Sequence, residues 1–274
     1  MFASLLAGVL VSSVHAEPAH PLVTGLAPHP EGLFASLRAD PRELHFAMRL
    51  ALPQDNKTVA EVAIGHYYGI YRWALPKDAG YMQLNIGGGI FPRFIFPDDK
   101  ALQVIDFYGN LPIDIRVGKW SGRFMFYHVS SHLGDDYIKS SGRFGERNSW
   151  NSLRSIVSYD FNLLFRLYAG YTYHILVEPA EQKLGAFQAG FEIYSKPFLE
   201  GRAQAYWATD IQGWDRRAWR GMFNSQIGVK TGRDATKGRG ISYFAEFTAG
   251  PKYYGQFFQE DETRAGLGVK FDIN

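Results

Sequence analysis

Ile105-Asp-Phe-Tyr-Gly-Asn-Leu-Pro-Ile-Asp-Ile-Arg-Val117 is the stretch on which the fold turns. Ile105, Phe107, Leu111, Ile113, Ile115 and Val117 share one parity, and Asp106, Asn110, Asp114 and Arg116 share the other. Period two is the repeat of a strand, because successive side chains point to opposite faces. The same alternation continues on both sides. Leu44, Phe46, Met48, Leu50 and Leu52 interleave with His45 and Arg49. Leu163, Phe165, Leu167, Tyr171, Tyr173 and Ile175 face away from Arg166, Thr172 and His174. Ala265, Leu267, Val269, Phe271 and Ile273 face away from Arg264, Lys270 and Asp272.

Twelve such stretches are predicted, at about 43–52, 59–73, 80–95, 101–117, 119–130, 150–160, 163–175, 184–195, 202–210, 217–229, 239–249 and 264–274. A strand that crosses a bilayer needs ~9–11 residues, and nearly all of these reach it. The fold class expected is all-β: a transmembrane antiparallel β-barrel of about twelve strands, spanning residues 44–274. An even count returns both termini to the periplasmic side. Short links at Gly118 and near Asn162 then fall in the periplasm, and the long stretches 131–149 and 250–263 fall outside. The stretch 230–238 departs from that rule, being long yet assigned to the periplasm.

Composition agrees. Aromatic residues reach 16%, with 16 Tyr, 21 Phe and 6 Trp, and there are 29 Gly. A soluble lipocalin-like barrel would hide its apolar face and show fewer aromatics. The chain after residue 16 has no run of ~20 apolar residues of the kind a helical span needs. A net charge of +2 gives no argument for a nucleic-acid partner. The absence of Cys excludes disulfides and thiolate metal sites.

Phe2 to Val14 is small and apolar, and Val14-His15-Ala16 resembles a cleavage site before Glu17. Residues 1–16 are therefore expected to be a signal peptide, although no Lys or Arg stands near Met1. Residues 17–43 carry Pro18, Pro21, Pro28, Pro30 and Pro41 and are expected to be an irregular periplasmic lead-in.

The chemistry is sought in the fifth strand, Lys119-Trp-Ser-Gly-Arg-Phe-Met-Phe-Tyr-His-Val-Ser130. Its even positions are mostly apolar and end in His128 and Ser130. Two residues apart on a strand, this pair points the same way, as a general base and a nucleophile must. The next strand opens Ser149-Trp-Asn-Ser-Leu153, with Asn151 on its apolar parity. An amide beside the imidazole could orient it as the third member of a triad. The plain alternative is a polar rim cluster that binds headgroups. Polar groups on a lipid-facing band tend to be functional. His132 continues the same row as a ligand, a second base or a headgroup contact. Asp135 and Asp136 follow in the loop and are candidate Ca²⁺ ligands, a solvated acidic loop being the other reading.

The spacing His128-Val-Ser130, followed by Ser149-Trp150-Asn151, resembles outer-membrane phospholipase A. That resemblance implies a twelve-stranded barrel with its site on the outer wall, and a Ca²⁺ that helps stabilise the oxyanion. The His-x-Ser pair is also similar to the outer-membrane lipid A deacylases, which use Glu as third member. The likeness covers the hairpin 124–155. It departs at Ser131-His132, where the phospholipases carry Asn-Gly, and in the longer gap to Asn151. More of the chain resembles the family called domain of unknown function 1207. The stretches are Leu37-Arg-Ala-Asp-Pro-Arg-Glu43, Tyr127-His-Val-Ser-Ser-His-Leu-Gly-Asp-Asp-Tyr137 and Tyr254-Gly-Gln-Phe-Phe258.

Two functions are expected from this reading. One is an outer-membrane lipid esterase acting on lipids of the outer leaflet, with Ser130 as nucleophile, His128 as base and Asn151 orienting it. Main-chain N–H groups near Ser131, with or without Ca²⁺, would hold its oxyanion. The other is a non-enzymatic barrel, either a narrow channel or a structural protein. A homodimer is left open in both.

Overall fold

The computed structural model describes residues 24–29, 32–53, 57–96, 102–179, 185–236 and 239–273. Twelve strands form a closed antiparallel ring: β2 (Phe46–Pro53), β3 (Thr58–Ala74), β4 (Tyr81–Phe96), β5 (Leu102–Val117), β6 (Trp120–Leu133), β7 (Asn148–Asn162), β8 (Phe165–Glu178), β9 (Gly185–Tyr194), β10 (Ala203–Trp214), β11 (Gly221–Thr231), β12 (Gly240–Pro251) and β13 (Asp261–Asp272). Each pairs with the next, β13 pairs with β2, and β3 pairs with β4, so the ring has no open edge. Closure pairs each strand on both sides over most of its length, which is what allows a sheet to stand in hydrocarbon.

The alternation read from the sequence sets the two faces. On β6, Phe124 and Phe126 are 49% and 40% exposed, whereas Met125 and Val129, of the other parity, are 3% and 0% exposed. Even positions of β6 therefore face outward. The outer wall carries a broad aromatic and aliphatic surface that includes Leu111, Ile113, Tyr171, Tyr173, Trp207 and Leu267. The inner wall carries buried charge, including Glu61, Arg93, Asp106, Asp114, Arg123, Glu192 and Arg264.

The segment before the barrel departs from expectation in two ways. Residues 25–29 form a short strand, β1 (Gly25–His29), which pairs with β3 around Gly69–Arg72. That is the length of β3 that β2 does not reach, so β1 covers an edge that would otherwise be bare. The chain then turns into the lumen. Arg38 pairs with Asp272 on β13 at 3.0 Å, and its main-chain N–H donates to Glu192 on β9. Asp40 accepts from Arg154 on β7, Gln188 on β9 and Gln212 on β10. Arg42 pairs with Asp106 on β5 at 2.7 Å, and Glu43 with Arg123 on β6 at 3.2 Å. A segment that touches walls on every side can only lie inside. Part of the expected lead-in is therefore a lumenal plug, drawn in because the inward faces supply partners for its alternating charges.

Small apolar clusters separate these ion pairs. Phe34 and Leu37 pack on Ile156 and Tyr168, and Ala39 packs with Tyr206, Ala208 and Phe244. At the plug's exit Leu44 lies against the wall where Gly65 and Gly89 face it; a Cβ on Gly89 would stand 2.8 Å from Leu44 Cδ2. The Gly-rich run at 87–89 thus serves a close approach.

The loops at the end of the barrel away from β1 are not all loose. The β6–β7 connection contains a short helix, α1 (Asp135–Ser141), where the sequence pattern predicts only a loop. The segment after β12 folds inward as a cap. Tyr253 donates from its hydroxyl to Glu61, and Gln256 Nε2 donates to the carbonyls of Ser131 and Glu146.

Candidate active site on the outer wall

β6 and β7 pair in one unbroken register. His128 stands opposite Asn151, Phe126 opposite Leu153, Phe124 opposite Ser155 and Gly122 opposite Val157. This is the pairing that keeps mostly apolar residues together on the outer face, and a slip of one residue would turn the whole row inward. His128 Nδ1 lies 2.7 Å from Asn151 Oδ1, on the exposed side of the wall. With the amide oxygen as acceptor, Nδ1 carries the proton and Nε2 keeps its lone pair, the form a general base requires.

Ser130 follows on the same row. Its Oγ lies 2.7 Å from Nε2 of His132, the next outward side chain along β6. The three expected residues are thus on one outward patch, but the serine's hydrogen bond runs to His132. Phe107 on β5, directly opposite Ser130, sets its ring edge to face against His132, with centroids 5.9 Å apart.

β8 closes the other side of Asn151 with a bulge. Asn151 pairs with Leu176 and Ser152 with His174, so Ile175 is the extra residue. Ile175 and Leu176, neighbours in sequence, are 44% and 64% exposed. The bulge therefore places two aliphatic side chains beside the amide. Bulges recur beside active sites because they re-aim side chains. Simple alternation does not reveal this one.

The strand that bears the site is held from within. Ser131 points into the lumen and its hydroxyl donates to Asp106, which is ion-paired with Arg42 of the plug. Gln256 of the cap donates from its main-chain N–H to Ser131 Oγ at 3.1 Å. The plug through Arg42, the site strand β6 through Ser131 and the cap through Gln256 meet at this point. The sequence reading missed Asp106, Arg42 and Gln256 as supports, because their partners lie far away along the chain.

Two expectations about the site change. Ser131 is paired in the ladder with Asp106 on one side and Asn148 on the other, so its main-chain N–H belongs to the sheet and is not an oxyanion donor. Asp135 and Asp136 sit in the first turn of α1, exposed, with Asp136 3.6 Å from Lys139. Among the described residues no three His, Asp or Glu side chains come together as a metal group. Ca²⁺ takes 6–8 oxygen ligands, and two adjacent carboxylates on a seven-residue helix, one of them paired with a lysine, do not fit that demand.

The ring, its aromatic wall and its plugged polar lumen define a closed twelve-stranded antiparallel barrel of the outer-membrane type. The chain belongs to the family described as protein of unknown function (DUF1207), whose model matches residues 7–273. No curated protein matches it in sequence. Among solved structures it is similar to outer membrane phospholipase A from Escherichia coli, with a TM-score of 0.58 and 12% identity over 86% of this chain and 92% of that one. It is similar to the Salmonella typhi outer membrane phospholipase, described as a dimer with bound calcium, with a TM-score of 0.56 and 11% identity over 86% and 92%. An asparagine-to-alanine active-site mutant of the Escherichia coli enzyme matches with a TM-score of 0.53 and 9% identity over 94% and 95%. At these identities the likeness is one of fold.

Proposed function

We propose that this chain is an outer-membrane lipid esterase that works from the outer wall of its barrel, with an N-terminal signal peptide at residues 1–16 directing export. Its substrate class is the acyl ester of a membrane lipid, phospholipid or lipid A. The observation that carries the reading is the 2.7 Å contact between His128 Nδ1 and Asn151 Oδ1 on the exposed wall, in the same row as Ser130.

In this reading Ser130 Oγ attacks the acyl carbonyl carbon and its proton passes to an imidazole of the row. The ester C–O bond then breaks and the imidazole returns the proton to the leaving alcohol. Water repeats the sequence on the acyl-serine. Asn151 fixes the tautomer and orientation of His128. The apolar surroundings, with Phe126 before the site and Ile175 and Leu176 beside it, suit a substrate that arrives from the bilayer. The asparagine replaced in the Escherichia coli mutant belongs to that enzyme's active site, which supports the role given to Asn151.

The alternative of an open channel is disfavoured by the plug, whose Arg38, Asp40, Arg42 and Glu43 are paired to walls around the lumen. A homodimer, the state described for the Salmonella typhi protein, is part of the reading and is measured by cross-linking in membranes.

The test uses full-length protein in detergent micelles with phospholipid and an active-serine phosphonate probe. Fatty-acid release together with labelling at Ser130, both absent in Ser130→Ala, is the expected result. Lipid hydrolysis that persists in Ser130→Ala, or no hydrolysis and no labelling by the native chain, would overturn it.

A further inference from the structure

We propose that Ser130 is served by two bases: His132 for acylation and His128 for deacylation. The inference rests on the esterase reading above and adds a catalytic residue to it. The geometry divides the site into two halves. The nucleophile's hydroxyl is in contact with His132, Oγ to Nε2 at 2.7 Å. The oriented imidazole is His128, whose Nδ1 is engaged by Asn151 at 2.7 Å and whose Nε2 keeps the lone pair.

All three side chains lie on the even, outward parity of β6, so the serine has one imidazole on each side along the strand. The surroundings of the two rings differ. His132 lies opposite Ile105, and its ring meets Phe107; β7 pairs with β6 only as far as Ser131. Its outer flank is therefore open beyond the end of β7. His128 is flanked by Gly109 on β5, which presents no side chain, and by Asn151 on β7, whose amide holds the ring.

The division of labour follows. In acylation Ser130 Oγ bonds to the acyl carbon while its proton moves to Nε2 of His132. The ester C–O bond breaks, and His132 delivers that proton to the departing alkoxide, so the alcohol leaves neutral. In deacylation a water bonds to the acyl carbon while its proton moves to Nε2 of His128. The bond from the acyl carbon to Ser130 Oγ breaks, and His128 returns the proton to Oγ. Fatty acid and free serine result, with no net change at either imidazole. A positioned base contributes roughly 10²–10⁴-fold to such a step.

The experiment is burst kinetics with a p-nitrophenyl acyl ester on full-length protein in micelles, followed by intact-mass measurement. His132→Gln keeps a side-chain hydrogen bond to Ser130 but cannot take the proton. Its burst is expected to slow by at least about 100-fold, with no acyl-protein accumulating and partial recovery on adding free imidazole to His132→Ala. His128→Ala is expected to keep the burst and accumulate one acyl group on Ser130. Heat-modifiability on gels verifies folding of each variant. A native burst rate in both His132 variants overturns the inference while leaving the esterase reading intact. A native chain with no burst and no labelling of Ser130 overturns both.

Discussion

His128 and Asn151 stand directly opposite one another on β6 and β7, with Nδ1 of the imidazole 2.7 Å from the amide oxygen. A neutral amide cannot compensate an imidazolium as a carboxylate does, so its contribution is orientation. Ser130→Ala and His128→Ala should each abolish nearly all turnover of lipid ester while the barrel still folds. Asn151→Ala should retain more activity, because nucleophile and base both remain. The comparison is steady-state fatty-acid release normalised to folded protein. Asn151→Ala falling as far as Ser130→Ala would contradict an orienting role.

Asp135 and Asp136 make the metal question testable. Placed as they are in the first turn of α1, they offer two of the several oxygens that Ca²⁺ needs. Hydrolysis should therefore be unchanged in excess chelator, and Asp135→Asn with Asp136→Asn should behave as the native chain. Loss of activity in chelator, restored by Ca²⁺ and absent in the double variant, would bring the metal back into the mechanism.

The loop that carries α1 is tied to the cap by Arg143 and Glu260. Burial alone would raise the Glu260 carboxyl; hydrogen bonds from Arg143 and Lys252 outweigh burial and hold it below its ordinary value of 4.5. A depressed carboxyl contributes stability that is present above its unfolded value and lost as pH falls through the folded one. Docking of residues 142–147 should thus hold at neutral pH and loosen only in acid, below about pH 4.5. Amide exchange of this loop against pH measures it. Arg143→Ala should already exchange fast at neutral pH, and a flat profile in the native chain would remove the tie.

Topology has its own test. If the barrel sits in the outer membrane with β1 and the plug entering from the periplasm, the loop 134–147 faces the outside. An epitope inserted after Ser141, where Gly142 ends α1 with a positive φ of 65°, should be detected on intact cells. Detection only after lysis would reverse the barrel and put the site at the inner leaflet.

Much of the barrel was legible because its information is local. Residues 105–117 and 119–130 declare their faces by parity alone, and the 128–151 register follows from matching two apolar rows. What stayed hidden is non-local. Asp40 reads as a loop acid until Arg154, Gln188 and Gln212, each more than 100 positions away, are seen around it. The β8 bulge at Ile175 breaks parity by one residue and leaves no signature in composition. The row of His128 and Ser130 was visible, yet the rotamer that turns the serine toward His132 is a choice between two equally spaced neighbours, which sequence cannot rank.

The plug makes a prediction that separates an esterase scaffold from a pore. Asp40 is buried, accepts from Gln188 and Gln212, and lies 3.0 Å from Arg154 on β7. Removing one partner of such a pair leaves a buried charge uncompensated, which costs about 3–5 kcal/mol, whereas removing both relieves much of that penalty. Asp40→Ala should therefore lower the unfolding midpoint markedly, and Asp40→Ala with Arg154→Ala should regain part of the loss. Because the same residue pins the plug to three strands, Asp40→Ala should also show current openings in planar bilayers, where the native chain stays closed. The coupling between the two substitutions, read from a double-mutant cycle, is the deciding number. Native conductance equal to that of Asp40→Ala, with no stability difference between them, would mean that the segment does not seal the lumen and would return the channel reading to first place.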